Sequence, residues 1–184
     1  MEKFLNLGSQ PLANSYIKKS NLKLKEKKFK LQVGFNKKNY LVSIINTVPK
    51  EKMFNNEYPY KSSESKTMRK SFKDLAKKIK KKYKPNFIIE IGSNDGAFLK
   101  NFSKNIAVGV EPCKNLARLT VKKKYKTFSE YWNIKLAKKI TKVKKADLVY
   151  SANTLSHIKK LDEIFSAINY SLSRNGILVL EDPS

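Results

Sequence analysis

Four residues have the types and spacing to hold a nucleoside: Glu90, Gly92, Gly96 and Glu111. Glu111 ends the apolar run at residues 106–110 and lies 19 positions beyond Gly92. An acid at about that distance from a glycine turn, at the tip of a second strand, suits the two hydroxyls of a ribose. A nicotinamide cofactor would favour Gly-x-Gly-x-x-Gly, whose close glycines let the backbone approach a pyrophosphate at a helix N-terminus. Here the pattern is Glu-x-Gly-x-x-x-Gly, with an acid inside the first strand, a looser turn and no lysine in the loop. That combination fits a ligand with an amino acid end in place of phosphates, S-adenosylmethionine. In this reading Glu90 holds the turn and orients the cationic end, and the backbone at Gly92 and Gly96 lies against the methionine portion. Asn94 and Asp95 complete the cofactor loop, Glu111 takes the ribose, and Asn153 lines the pocket from further along the chain. The competing reading is a glycine turn in an unrelated α/β fold.

These residues need a strand, a turn and a helix to place them. Residues 87–91 are apolar and β-branched, which predicts a buried strand. The turn at residues 92–96 follows, and helical spacing is expected from Ala97 through Phe98 and Phe102. Downstream, Leu116, Ala117 and Val121 predict a helix, Thr127 and Phe128 a short strand, and Ile134, Ala137 and Ile140 another helix. Residues 146–150 read as a fourth strand. Leu161, Ile164, Phe165, Ile168 and Leu172 form a helical stripe that Gly176 is expected to end, before a fifth strand at 177–180. Strands alternating with helices imply a Rossmann-like, doubly wound, mainly parallel α/β sheet with right-handed crossovers.

Upstream, residues 66–82 carry Met68, Phe72, Leu75, Ala76 and Ile79 at helical spacing, an amphipathic helix that covers one side of the sheet. Residues 29–35 alternate apolar and polar, residues 36–39 are Asn-Lys-Lys-Asn, and 40–45 are mainly apolar, which predicts a small N-terminal β-hairpin region. Residues 1–20, broken by Pro11, are expected to form ordered loop. The chain thus divides into a hairpin region (1–48), a Tyr/Ser linker with its helix (49–84) and a cofactor-binding domain (85–184).

The length of 184 residues suits one core of ordinary size with a small appendage. No leader-like start or membrane-length apolar run is present, so the expected location is cytoplasmic. Cys113 and His157 are the only cysteine and histidine, which excludes an internal disulfide framework and a Cys/His zinc site within the chain. The net charge of +25 raises the alternative of a nucleic-acid or polyanion binder. Against it, 37 of the 40 basic residues are lysines spread along the chain, and only Arg69, Arg118 and Arg174 offer the bidentate geometry that phosphate and base recognition favours. The favoured reading is a solvated lysine-rich surface, since an excess of lysine, asparagine and isoleucine is what an AT-rich genome produces, and such a charge can still steer an anionic substrate.

Six stretches appear in one order: Leu-Gly-Ser-Gln-Pro-Leu-Ala-Asn-Ser-Tyr at 7–16, Tyr-Pro-Tyr-Lys-Ser-Ser-Glu-Ser at 58–65, Glu-Ile-Gly-Ser-Asn-Asp-Gly at 90–96, Val-Glu-Pro at 110–112, Ser-Ala-Asn-Thr-Leu-Ser-His-Ile at 151–158 and Asn-Gly-Ile-Leu-Val-Leu-Glu at 175–181. Together they resemble the nucleotide-sugar C-methyltransferase family over nearly the whole chain. The resemblance implies a zinc knuckle followed by a class I methyltransferase fold that moves a methyl group from S-adenosylmethionine to a carbon of a deoxy-keto sugar on a nucleoside diphosphate. Two departures stand out. The family's first Cys-x-x-Cys pair would precede Met1, and the second aligns with Asn-Lys-Lys-Asn at 36–39. Asparagine is a poor zinc ligand beside thiolate, so the hairpin is expected to hold no metal and to rest on packing. The family also continues into further strands and a C-terminal catalytic segment of Tyr-x-Glu-His type, whereas this sequence stops at Ser184, just after its fifth strand.

Methylation of a carbon beside a keto group needs a base, a stabilised enolate and in-line placement of carbon and sulfonium methyl. The candidates are His157, just after the fourth strand, and the hydroxyls of Tyr58 and Tyr60. Cys113 reads as a small residue at a helix start with no catalytic role. The lone fifth strand suggests either a fragment or an edge covered by a partner, which leaves a second reading: a truncated S-adenosylmethionine-binding module that needs another chain.

Overall fold

A computed structural model describes residues 1–182; the first of its two compact units is Met1–Pro59 and the second begins at Tyr60. The stretch read as linker and helix (49–84) straddles that division.

The first unit is a three-stranded antiparallel sheet in the order β1-β2-β3, with β1 Glu2–Pro11, β2 Lys28–Asn36 and β3 Leu41–Ile44, followed by the short helix α1 Lys50–Met53. The hairpin of β2 and β3 matches the alternation in the sequence. Residues 2–11 are a strand and not the expected loop. Every residue of β1 is exposed, so no burial pattern marks it. Its pairing with β2 slips twice, between Lys3 and Leu5 and between Asn6 and Ser9. Pro11 ends this edge strand without breaking it, as an edge position allows.

The second unit is a five-stranded, wholly parallel sheet in the order β6-β5-β4-β7-β8. Its strands are β4 Ile88–Ile91, β5 Ala107–Val110, β6 Lys126–Phe128, β7 Ala146–Ala152 and β8 Leu172–Glu181. Helices α2 Lys66–Tyr83, α3 Lys114–Lys122, α4 Ile134–Ile140 and α5 Leu161–Ser171 connect or cover them. Strand β4 shows why the sheet is buried on both sides: Ile88 packs with Phe72, Ala76 and Ile79 of α2, while Ile89 and Ile91 pack with Leu136 and Ala137 of α4 and Ile164 and Ile168 of α5. Strand order reverses between β4 and β7, and in open sheets of this kind ligands sit in the crevice at the carboxyl ends of the strands beside such a reversal. Among the described residues no helix is long and apolar enough to cross a membrane.

Two expectations fail locally. No α-helix follows the turn at 92–96; only a 3-10 turn forms, Leu99–Asn101. The Asn101 side-chain amide donates to the carbonyls of Ala97 and Phe98 at 3.3 and 2.9 Å, competing for groups that a continuing helix would use, and β5 begins six residues later. Nor does Gly176 end a helix. Helix α5 stops at Ser171 and β8 starts at Leu172, so Gly176 lies inside a strand whose pairing with β7 shifts between Ala146 and Leu148. A Cβ on Gly176 would stand 2.7 Å from the Ala146 carbonyl oxygen, so the glycine permits a close backbone approach.

Candidate functional site

Because all five strands are parallel, their carboxyl ends share one edge, and the predicted residues of the second unit cluster along it. Glu90 points from β4 to the same face as Ile88, toward α2, as strand alternation requires. Its side chain is buried at 4 % exposure, and its Oε2 has no hydrogen-bond partner among the described residues. Burial pushes its pKa well above the usual carboxylate range; the Leu99 backbone amide opposes this, and the charges of Glu111 and Asp95 add to it.

The turn that follows is tightly fixed. Gly92 and Ser93 amides both donate to the Val110 carbonyl, at 2.8 and 3.1 Å, and the Gly96 amide donates to the Ser93 carbonyl at 2.9 Å. Gly92, Asn94 and Gly96 all adopt positive φ, at 72°, 49° and 79°. A Cβ on Gly92 would stand 2.2 Å from Thr154 Oγ1, and one on Gly96 would stand 2.5 Å from Thr120 Cγ2. Both glycines are therefore required by backbone conformation and by space.

Glu111 ties this turn to the next strand end. Its Oε2 accepts from the Asn94 amide and its Oε1 from the Cys113 amide, each at 2.8 Å. Burial raises its pKa, and those two amides pull it back down. Cys113 is buried behind it at the start of α3, its thiol pKa raised by burial and by the Glu111 charge.

The side chains of Asn94 and Asp95 turn outward to residues 60–63. Asn94 Oδ1 accepts from the Ser62 amide at 2.9 Å, and its Nδ2 donates to the Tyr60 carbonyl at 3.2 Å. Asp95 Oδ1 accepts from the Ser63 amide at 3.2 Å, and Oδ2 accepts from the Ser63 hydroxyl. Tyr60 is thereby brought to the turn. Tyr58 belongs to the first unit, where its ring stands 5.5 Å from that of Phe54. Asn153 and His157 are exposed on the segment after β7, where Asn153 takes positive φ and its amide donates to the Glu181 carbonyl at 2.6 Å.

Four participants have no role assigned from the sequence. Thr154 fills the space beside Gly92, and Ser62 with Ser63 engages the turn. Tyr150, fully buried on β7 in register with Glu90, donates its hydroxyl to Glu181 Oε2 at 3.2 Å. A tyrosine at the end of the run Leu-Val-Tyr was the one visible signal for the last. Of the chain's 15 acids, Glu90, Asp95, Glu111, Glu181 and Asp182 stand at or just beyond the carboxyl ends of these strands, in a protein of net charge +25. Such a concentration of negative charge favours a cationic ligand. A cleft of about 220 Å³ lined by Tyr83, Lys84, Asn86, Asp147 and Ser173 lies instead at the amino ends of β4 and β7.

A family model described as a methyltransferase domain matches residues 60–184, and one described as a zinc binding domain matches residues 1–54. No curated protein matches the chain. Among solved structures, DesVI of Streptomyces venezuelae superposes with a TM-score of 0.51 at 14 % identity, over 62 % of this chain and 50 % of that one. A SAM-dependent methyltransferase of Archaeoglobus fulgidus gives 0.53 at 19 %, over 63 % and 53 %. CalS10 of Micromonospora echinaspora, an amino pentose methyltransferase solved with SAM bound, gives 0.51 at 17 %, over 63 % and 51 %. At these identities the likeness is one of fold, and the chain spans about half the length of these solved relatives.

The donor set of the first unit does not fit zinc. Both thiolate and imidazole are missing from it, since Cys113 and His157 lie in the second unit. Glu2 is paired with Lys37 at 2.8 Å and Glu57 with Lys18. The hairpin turn closes through its own asparagines: the Lys38 amide donates to Asn36 Oδ1 at 3.0 Å, and the Leu41 amide to Asn39 Oδ1 at 3.2 Å. Chelation with EDTA is accordingly expected to leave the far-UV circular dichroism and the melting temperature unchanged; a drop in either would show a structural metal.

Proposed function

The chain belongs to the methyltransferase-domain family, and on that premise we propose that it binds S-adenosylmethionine at the carboxyl ends of β4, β5 and β7 and passes the methyl group to a carbon of a nucleoside-diphosphate deoxy-keto sugar. The observation that carries the reading is the Glu90 carboxylate, buried beneath the glycine turn with an oxygen unpartnered. A buried carboxylate in this condition is stabilised by a cation, and the methionine end of the donor supplies an ammonium next to a sulfonium. Backbone at Gly92 and Gly96 would flank the methionine portion. Glu111 would turn its remaining acceptor capacity to the ribose, and Asn153 would edge the pocket.

On the acceptor side, His157 and Tyr60 are the candidates for polarising a keto oxygen and orienting the carbon. An acceptor carrying a nucleoside diphosphate is an anion, and the lysine-rich surface would raise its local concentration. Calorimetry tests the donor half. Glu111→Ala is expected to weaken S-adenosylmethionine binding by about a hundredfold, the scale of two lost charge-assisted hydrogen bonds. No binding by the parent chain, or undiminished binding by the variant, would refute the assignment. The acceptor half is read by mass spectrometry, as the gain of one methyl group on a nucleotide keto sugar.

A further inference from the structure

The turn at residues 92–96 carries two polar side chains that a donor-binding loop would be expected to aim at its ligand, and both are spent elsewhere. Asn94 has its side-chain oxygen occupied by the Ser62 and Asp95 amides and its side-chain nitrogen on the Tyr60 carbonyl. Asp95 receives the amide and the hydroxyl of Ser63 on its two oxygens. These contacts join segments 32 residues apart. A second clamp acts from the other side: Arg69, in the first turn of α2, donates through Nη1 to the carbonyl of Ser63 and, at 3.2 Å, to that of Glu64. Ser65 caps α2 by accepting from the Met68 amide at 3.2 Å, so the segment runs directly into a fixed helix. Lys123 completes the anchoring of the turn, its Nζ donating to the Asp95 carbonyl at 2.9 Å.

Resting on the donor reading above, we propose that Asn94 and Asp95 are positioning residues that hold residues 60–64 as a strap across the glycine turn, and that donor binding and strap closure are one coupled event. The coupling follows from the covalent adjacency of the groups. Asn94 offers its backbone amide to Glu111 and its side chain to the strap. Asp95 sits between Asn94 and Gly96, so any ligand that fixes the Gly92 and Gly96 backbone fixes the orientation of both side chains. A strap held this way retains the donor and keeps Tyr60 beside it. A strap released lets the donor leave. The polar residues of the turn therefore govern residence time, while the carboxylates of Glu90 and Glu111 govern recognition.

Amide hydrogen exchange of the whole chain with and without S-adenosylmethionine tests this. The Ser62 and Ser63 amides are expected to exchange about tenfold more slowly in the bound protein, the factor that corresponds to one hydrogen bond held. In an S-adenosylhomocysteine chase, the double variant Asn94→Ala/Asp95→Ala is expected to release S-adenosylmethionine at least tenfold faster. Arg69→Ala is expected to do the same without touching the turn. If the donor binds and the Ser62 and Ser63 amides exchange unchanged, or if Arg69→Ala releases it at the parent rate, the strap assignment is wrong while the donor site stands. If S-adenosylmethionine does not bind the parent chain, both fall.

Discussion

Glu90→Gln is expected to cost about tenfold to a hundredfold in S-adenosylmethionine affinity while making the ligand-free protein more stable at mildly alkaline pH, the affinity loss being that of one or two hydrogen bonds to a charged group. Both effects come from one oxygen. The Glu90 carboxyl is buried, with Oε2 unpartnered, and its pKa is pushed well above the value of about 4.5 that it has when unfolded. An acid whose folded pKa is raised binds its proton more tightly in the native state. Its contribution to stability is therefore fully present below the unfolded pKa and is lost as pH rises through the folded one. Glu111 shifts in the same direction and adds to the trend. The cationic donor reverses the preference by favouring the ionised carboxylate, so donor affinity rises with pH across the same window, and binding there releases a proton. Calorimetry in buffers of different ionisation enthalpy would count that proton, and Glu90→Gln would abolish it. A parent protein whose affinity falls with rising pH would contradict the assignment of Glu90 to a cation.

How far this site was legible depends on what each residue had to announce. The runs at 87–91, 106–110 and 146–150 are apolar because the strands they form are covered on both faces, and burial of that kind writes itself into composition. Gly92 and Gly96 were visible because positive φ and close contacts restrict the choice of residue. The partners of Asn94 and Asp95 were not visible. Serine and tyrosine at 60–63 suit any polar loop, and their meeting with a turn 32 residues later depends on where α2 docks. Phe98 and Phe102 illustrate the opposite failure. Their spacing suggests a helix, yet they fill the face beneath α2 from either end of a 3-10 turn, with the Phe98 ring stacked 3.8 Å from Tyr150 and tilted against Phe102 at 5.1 Å. Apolar spacing over one turn is shared by any short segment that buries two aromatic rings on one face.

Gly92→Ala is expected to lower the melting temperature by roughly 6–12 °C and to remove measurable donor binding, from a stability loss of about 3 kcal/mol. Two penalties combine at this position. The backbone sits at φ 72°, where a Cβ is disfavoured by roughly 1–2 kcal/mol. The added carbon would also stand 2.2 Å from Thr154 Oγ1 and 3.0 Å from Thr154 Cγ2, an overlap of the kind that costs about 1–3 kcal/mol. Thr154 cannot swing away freely, because its hydroxyl donates to the Ala152 carbonyl at 2.9 Å and the segment after β7 is held by the Asn153 amide on Glu181. Relief must come from the glycine turn itself, which moves the Gly92 and Ser93 amides off Val110 and shifts Glu111's partner Asn94. The double variant Gly92→Ala/Thr154→Ala separates the two penalties: removing the hydroxyl and methyl should restore the packing part, roughly 1–2 kcal/mol of coupling, and leave the backbone part. Coupling near zero, with Gly92→Ala still melting low, would place the whole effect in the backbone. A Gly92→Ala chain that melts and binds like the parent would show that the turn does not need its glycine, and with it the steric basis of the donor site would fail.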